Sequence, residues 1–150
     1  MGFVLPYLIA AWGQPGFVAR VAPSPALRTV GGLVCAAGLA LLVAAIRMFI
    51  LIGRGTIMPW DPTRRLIVAG LYQYVRNPMI LGVLILQVGW SILFASRGVA
   101  LLALVFYVVN TVYFVFSEEP GLEKRFGNEY REYKKNVPRW IPRIRPWRPG

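Results

Sequence analysis

Residues 78–117 read PMILGVLILQVGWSILFAS-RG-VALLALVFYVVNTVYFVFS, two uncharged stretches of 19 residues separated by Arg97 and Gly98. At about 1.5 Å per residue, a helix of this length spans roughly 28 Å, close to the ~30 Å hydrocarbon core of a bilayer. A two-residue connection leaves room only for a tight turn between two helices. Residues 78–117 therefore predict a hairpin of two antiparallel membrane-spanning helices.

Two further apolar stretches precede this hairpin. Residues 30–52 are long enough to cross a bilayer, whereas residues 3–19 are interrupted by prolines and glycines, which predicts a weak or kinked first span. With 57% hydrophobic residues, the chain is too apolar for one soluble domain of 150 residues. The predicted fold class is an all-α integral membrane protein with about four transmembrane helices, arranged as one membrane domain over residues 1–150.

The distribution of cations predicts the orientation in the membrane. The loop over residues 53–77 holds four arginines and residues 118–150 hold nine cations, whereas the connection at 97–98 holds one and residues 20–28 hold two. By the positive-inside rule the loop and the tail are cytoplasmic. The formal charge of the chain is +11, and its cationic side chains are expected to face anionic lipid rather than nucleic acid, because no base-reading module is present.

The tail after the hairpin has a helical period. Its apolar and aromatic residues recur at spacings of 4, 4, 3 and 4, which predicts a cytoplasmic amphipathic helix lying along the lipid headgroups. These residues are Leu122, Phe126, Tyr130, Tyr133 and Val137. Of these, Leu122, Phe126 and Tyr130 are expected to pack rather than to bind a ligand.

The residue inventory excludes several kinds of chemistry. Cys35 is the single cysteine and the chain has no histidine, so an intramolecular disulfide and a cysteine-histidine nucleophile are impossible. The absence of histidine also removes the usual zinc sites, and no metal is expected. Proton transfer must then rely on carboxylates, tyrosine, arginine or the substrate.

Two polar pairs stand at the ends of the hairpin. Arg76 and Asn77 precede its first helix, and Glu118 and Glu119 follow its second. Antiparallel helices bring these two ends to the same depth, where buried polar groups are costly and usually functional. The sequence therefore predicts a ligand site between the two pairs, on the cytoplasmic side.

The groups around this site suggest the ligand. Pro78 at the start of a helix leaves the preceding amides free, and the positive end of the helix dipole favours a carboxylate. Glu118 and Glu119 offer acceptors for an amino group or ribose hydroxyls, while Tyr72 and Tyr74 offer aromatic faces for an adenine or a sulfonium. S-adenosylmethionine combines all of these features, and S-adenosylhomocysteine would be its product.

These motifs carry a family resemblance. Residues 70–82 resemble a Gly-x-Tyr-x-x-x-Arg-His-Pro-x-Tyr-x-Gly strip, and residues 126–133 resemble a Phe-Gly-x-Glu-Tyr-x-x-Tyr tail. With the acidic pair between them, they are similar to the superfamily of integral membrane methyltransferases that includes isoprenylcysteine carboxyl methyltransferases and phospholipid N-methyltransferases. The resemblance covers roughly residues 64–142. Asn77 and Ile80 stand where that family usually has histidine and tyrosine.

The resemblance implies an S-adenosylmethionine-dependent methyltransferase that acts on a lipophilic or membrane-embedded acceptor. The cofactor contacts that it implies are Leu66, Ile67, Tyr72, Arg76, Asn77, Pro78, Ile80, Glu118 and Glu119. The residues predicted to be catalytic are Arg76, Asn77 and Glu119. The acceptor stays open among an isoprenylcysteine-like carboxylate, a phospholipid-like amine and a sulfur.

Two other functions are compatible with parts of the pattern. Membrane sterol reductases resemble the same superfamily in their carboxyl-terminal core, but nothing in this chain resembles a site for a nicotinamide cofactor's second phosphate. A small membrane scaffold would be expected to carry more inward polar residues at mid-bilayer than Gln87, Asn110 and Thr111.

Overall fold

The computed structural model describes residues 23–53 and 66–148, and most of them are helical. The α-helices are α1 Pro25–Gly53, α2 Pro78–Leu93, α3 Arg97–Tyr113, α4 Glu119–Phe126 and α5 Asn128–Asn136. A 3-10 turn at Gly70–Gln73 precedes α2, and a π-helical segment at Phe114–Glu118 joins α3 to α4. The predicted span over residues 3–19 and most of the loop before the strip lie outside the described residues.

The apolar surface of the long helices is that of a membrane protein. Two continuous helical stretches, Pro25–Ile52 and Arg97–Phe126, are long and apolar enough to cross a bilayer. Large apolar side chains point outward from both, for example Leu33 at 66% exposure and Leu104 at 57%. Such surfaces are stabilised by lipid and are rare on soluble monomers. Helix α2 is also apolar but has 16 residues, or about 24 Å.

Contacts divide the chain into two compact units. The described part of the first unit comprises residues 23–40 and 81–111. The described part of the second comprises residues 41–53, 66–80 and 112–148.

In the first unit, α1 and α2 pack closely through glycines. A Cβ atom placed on Gly31 would lie 2.7 Å from the backbone nitrogen of Leu93, and one on Gly38 would lie 2.6 Å from that of Leu86. Gly89 of α2 comes equally close to α1. Because rising residue numbers in α1 meet falling numbers in α2, the two helices are antiparallel here. Small residues permit this approach, as is common between membrane helices.

The turn between α2 and α3 is displaced from the predicted position. The sequence predicts a break at Arg97 and Gly98, whereas α2 ends at Leu93 and Arg97 already begins α3. Ser96 explains the boundary, because its side-chain oxygen accepts a hydrogen bond from the backbone nitrogen of Val99 at 3.4 Å. This is the geometry of a serine at the N-cap of a helix.

In the second unit, the tail forms two helices in place of the single amphipathic helix that the sequence predicts. Gly127 separates α4 from α5 with φ of +56°, and its backbone nitrogen donates to the carbonyl of Glu123 at 2.9 Å. Such a left-handed glycine ends a helix readily because it has no Cβ atom. Tyr130, Tyr133 and Val137 of the predicted apolar face are buried together after this break.

The extended segment after α5 lies against the strip that precedes α2. Three backbone hydrogen bonds of 2.9–3.0 Å connect the two: Arg76 N to Pro138 O, Arg143 N to Tyr74 O, and Trp147 N to Gln73 O. Arg143 also donates a side-chain hydrogen bond to the carbonyl of Asn136. The carboxyl-terminal tail therefore holds the strip in place through backbone hydrogen bonds.

Candidate active site

A cavity in the second unit brings together Arg76 and Asn77 of the strip and Glu118 of the acidic pair. Ten residues form its wall: Phe49, Leu66, Ile67, Tyr72, Arg76, Asn77, Glu118, Leu122, Tyr130 and Tyr133. The space between them is about 500 Å³, including the part open to solvent. Its wall combines mainly apolar and aromatic side chains with a few polar groups, as is common in sites for small molecules and cofactors.

The structure brings six of the residues predicted to bind the cofactor into this wall. They are Leu66, Ile67, Tyr72, Arg76, Asn77 and Glu118. The other four are Tyr74, whose carbonyl accepts the hydrogen bond from Arg143, Pro78 and Ile80 in the first turn of α2, and Glu119. The two ends of the hairpin therefore meet, as the sequence predicts.

Glu119 lies behind the wall in a cluster of cations. Its side chain is only 6% exposed and accepts from Arg76 Nη1 at 2.8 Å, Lys134 Nζ at 2.9 Å and Arg139 Nε at 3.0 Å. Arg139 Nη2 contacts the same carboxylate. A buried carboxylate needs this compensation, because taking a charge out of water costs several kcal/mol. The attraction between the carboxylate and its cations offsets a cost of about that size. Glu119 thereby fixes the guanidinium of Arg76 from behind.

Glu118 has a different environment although it is the adjacent residue. It is half-buried and lines the cavity, and no cation within residues 23–53 and 66–148 lies within 4 Å of its carboxylate. Consecutive helical residues point about 100° apart, so neighbouring acids can serve two surfaces. Glu118 is also the last residue of the π-helical segment, and such segments often occur at functional sites.

Three tyrosines of the wall are held as neutral phenols. Burial, together with the charge of Glu118, raises the pKa of Tyr72 from 10.0 to about 12. Burial likewise raises the pKa of Tyr130 and of Tyr133. The hydroxyl of Tyr133 donates to the carbonyl of Tyr72 at 2.7 Å, which joins α5 to the strip. None of these phenols ionises near neutral pH.

These environments leave one proton acceptor in the described wall. The tyrosines are neutral donors, Arg76 is cationic, and Glu119 is surrounded by three cations. Glu118 is the carboxylate of the wall and has no described cation within 4 Å, so it can accept a proton or face a positive group.

Four wall residues were not predicted as site residues: Phe49, Leu122, Tyr130 and Tyr133. Leu122, Tyr130 and Tyr133 gave a signal, because they form the periodic apolar face of the tail, but that period is the same for a face that only packs. Phe49 is one apolar residue within a long apolar helix, and nothing in its neighbours distinguishes it. The sequence contains no information on which face of α1 meets the strip.

Comparison with known proteins identifies the family to which this site belongs. Residues 27–129, more than two thirds of the chain, match the family described as phospholipid methyltransferase. The chain belongs to this family. The match includes the strip, the hairpin and the acidic pair, and it confirms the resemblance that the motifs carry.

Individual relatives are similar over about half of the chain. An uncharacterized protein of Haemophilus influenzae is 33% identical over 63 residues, which are 42% of this chain and all of that protein. A methanethiol S-methyltransferase of Crocosphaera subtropica is 38% identical over 77 residues, 49% of this chain and 28% of that enzyme. A protein-S-isoprenylcysteine O-methyltransferase of Schizosaccharomyces pombe is 35% identical over 82 residues, 53% of this chain and 34% of that enzyme. The matched region thus spans about a third of each named enzyme.

Proposed function

We propose that this protein is an S-adenosylmethionine-dependent methyltransferase that acts on a lipophilic or membrane-embedded acceptor. The observation that carries the proposal is the cavity in which Arg76 and Asn77 meet Glu118, walled by tyrosines and aliphatic residues. Membership of the phospholipid methyltransferase family supports methyl transfer as the reaction. The names of the relatives refer to sulfur and oxygen acceptors, so this protein's acceptor atom is not assigned by family.

The residues present fit the proposed cofactor. Phe49, Leu66 and Ile67 form an apolar wall suited to an adenine, and the guanidinium of Arg76 is suited to the carboxylate of an amino-acid end. Arg76 Nε is buried and has no hydrogen-bond partner among the described residues. A ligand acceptor would complete this donor, because buried polar groups in proteins are normally paired.

In the proposed reaction, S-adenosylmethionine supplies a methyl group that is already activated by a positively charged sulfur. The chain then has to hold the two reactants in line and keep water away. Phe49 and Leu122 would exclude water, and Arg76, fixed by Glu119, would orient the amino-acid end. An amine or thiol acceptor must lose a proton, for which Glu118 is placed, whereas a carboxylate acceptor needs no base.

The acceptor would reach the cavity from the bilayer. Phe49 belongs to Pro25–Ile52, one of the two stretches able to cross a membrane, and it is part of the cavity wall. A lipophilic acceptor bound beside this helix would keep its apolar part in lipid. We place the strip and the tail on the cytoplasmic side, where the cations of the tail would face anionic headgroups.

Binding of S-adenosylhomocysteine to the purified protein in lipid nanodiscs tests the proposal by calorimetry. We expect a saturable one-to-one interaction in the wild type and a loss of at least about tenfold in affinity in Arg76→Gln, because a charge-assisted hydrogen bond to the ligand would be lost. Arg131→Gln is the matched control, since the Arg131 side chain is 68% exposed. A folded wild-type protein that binds neither this product nor the donor would refute the proposal.

A second experiment identifies the acceptor. Membranes that contain the protein are incubated with a donor labelled in its methyl group, and the lipid extract is separated and analysed by mass spectrometry. We expect label in a lipophilic molecule, and about tenfold less of it when Arg76→Gln replaces the wild type at a donor concentration below the dissociation constant. Label that appears only in water-soluble molecules would contradict the proposed acceptor class.

A further inference from the structure

We propose that Glu118, together with the tyrosines of the cavity wall, selects the positive charge on the sulfur of the methyl donor. The attraction between the Glu118 carboxylate and the positively charged sulfur would then stabilise the bound donor but not its neutral product. This inference rests on the proposed function and extends it from the identity of the cofactor to the way in which the site distinguishes donor from product.

The charges of the cluster support this division between the two acids. The negative charge of Glu119 is taken up by three cations, Arg76, Arg139 and Lys134. Glu118 places a second carboxylate in the cavity wall, without a described cation within 4 Å. A half-buried carboxylate is favoured in its ionised form by a nearby positive charge. A cationic ligand group at the cavity would supply that charge.

The aromatic residues of the wall favour the same ligand group. Tyr72, Tyr130 and Tyr133 line the cavity, and the rings of Tyr130 and Tyr133 lie 6.2 Å apart between centroids at an angle of 60°. The faces of aromatic rings attract cations through the ring quadrupole. The hydrogen bond from Tyr133 to the carbonyl of Tyr72 holds two of the rings in place before any ligand binds, so little order has to be gained on binding.

The reaction itself removes the charge that this wall would recognise. The bond between sulfur and the methyl carbon breaks and its electron pair remains on sulfur, which becomes a neutral thioether. The lone pair of the acceptor forms the new bond to carbon, and the acceptor becomes more positive by one unit. The attraction between Glu118 and the cofactor's sulfur therefore disappears in the same step, which favours release of the product.

Two non-reacting probes isolate this effect in calorimetry. Sinefungin carries an ammonium group where the donor has its sulfonium, and S-adenosylhomocysteine carries a neutral sulfur at that place. The two share the adenine, the ribose and the amino-acid end. The quantity to measure is the ratio of their affinities in the wild type and in Glu118→Gln, which keeps the shape of the side chain and removes its charge.

We expect Glu118→Gln to lower the preference for sinefungin by about tenfold, the effect of losing about 1.4 kcal/mol, while the affinity for S-adenosylhomocysteine changes by less than about twofold. Glu132→Gln makes the same charge change at an exposed position of α5 and should leave the ratio unchanged. Tyr130→Phe should keep the preference because the ring is retained, whereas Tyr130→Leu should reduce it.

The possible results separate the two proposals. If Glu118→Gln weakens both probes equally, or changes neither, Glu118 does not recognise the sulfur charge and this inference is overturned. Retained binding of S-adenosylhomocysteine shows that the variant is folded. If the wild-type protein binds neither probe, the proposed function itself fails.

Discussion

The strongest stability prediction concerns Glu119→Gln. This substitution removes the carboxylate that, among the described residues, compensates two arginines of low exposure, Arg76 at 11% and Arg139 at 16%. Lys134 is more exposed and keeps its ion pair with Glu123 at 2.9 Å, so the cost falls mainly on the arginines. Removing one partner of a buried ion pair typically costs about 3–5 kcal/mol. Because both arginines retain some contact with solvent, we take about 3 kcal/mol.

This cost can be measured as a change in Tm. For a chain of this size, 1 kcal/mol corresponds to about 2–4 °C, so Glu119→Gln should lower Tm by about 6–12 °C. The unfolding is followed by tryptophan fluorescence in detergent. The matched control is Glu123→Gln, whose side chain is 30% exposed and pairs with exposed cations. Such pairs contribute about 1 kcal/mol or less. Equal Tm values for the two variants would refute the structural role of Glu119, and lost methyl transfer at an unchanged Tm would place Glu119 in the chemistry instead.

Three further substitutions test other parts of the structure. Gly31→Ala should destabilise the protein by about 1–3 kcal/mol, because the new Cβ would lie 2.7 Å from the backbone nitrogen of Leu93. The control is Gly32→Ala, which should be neutral or stabilising because no atom lies within 4 Å of its new Cβ. Equal Tm values for the two variants would contradict the close contact between the helices. Tyr133→Phe leaves the carbonyl of Tyr72 without its hydrogen bond and should cost about 1–3 kcal/mol in denaturant unfolding, and an unchanged midpoint would argue against that bond. The pKa of Tyr72 is raised from 10.0 to about 12, so the folded state favours its neutral phenol. The neutral phenol therefore contributes up to about 2.7 kcal/mol to the free energy of unfolding, which is fully present below pH 10 and is lost as the pH rises to 12. Tyr72→Phe should therefore flatten the fall of Tm over that range, and a slope equal to that of the wild type would contradict the assignment.

The hairpin and the meeting of its two ends were predictable from the sequence. Residues 78–117 contain two apolar stretches with hardly any connection, and a chain in lipid can satisfy its backbone there only as helices. Once the helices are antiparallel, Arg76 and Glu119 have to meet, and the structure joins them at 2.8 Å. The length of the apolar stretches and one steric limit on the turn were sufficient for this step.

The position of the tail was not predictable in the same way. The sequence predicts one amphipathic helix after the hairpin, because the spacing of its apolar residues continues past Gly127 without interruption. Whether a glycine ends a helix depends on the contacts on both sides, and here Tyr133 of α5 donates a hydrogen bond to the carbonyl of Tyr72 in the strip. Arg139 lies in an extended segment beyond a proline, and its contact with Glu119 depends on backbone hydrogen bonds that no periodic pattern reports.

The acidic pair shows why a motif can locate a site without assigning its residues. Both carboxylates are predicted from the sequence to contact the cofactor, and only Glu119 is predicted to be catalytic. The π-helical segment Phe114–Glu118 ends between them, and a π turn contains an additional residue that changes the direction of the side chains around it. One acid then faces three cations and the other faces the cavity. The distinction between a positioning carboxylate and a ligand-facing one therefore depends on the folded chain, in which Glu119 contacts three cations and Glu118 lines the cavity.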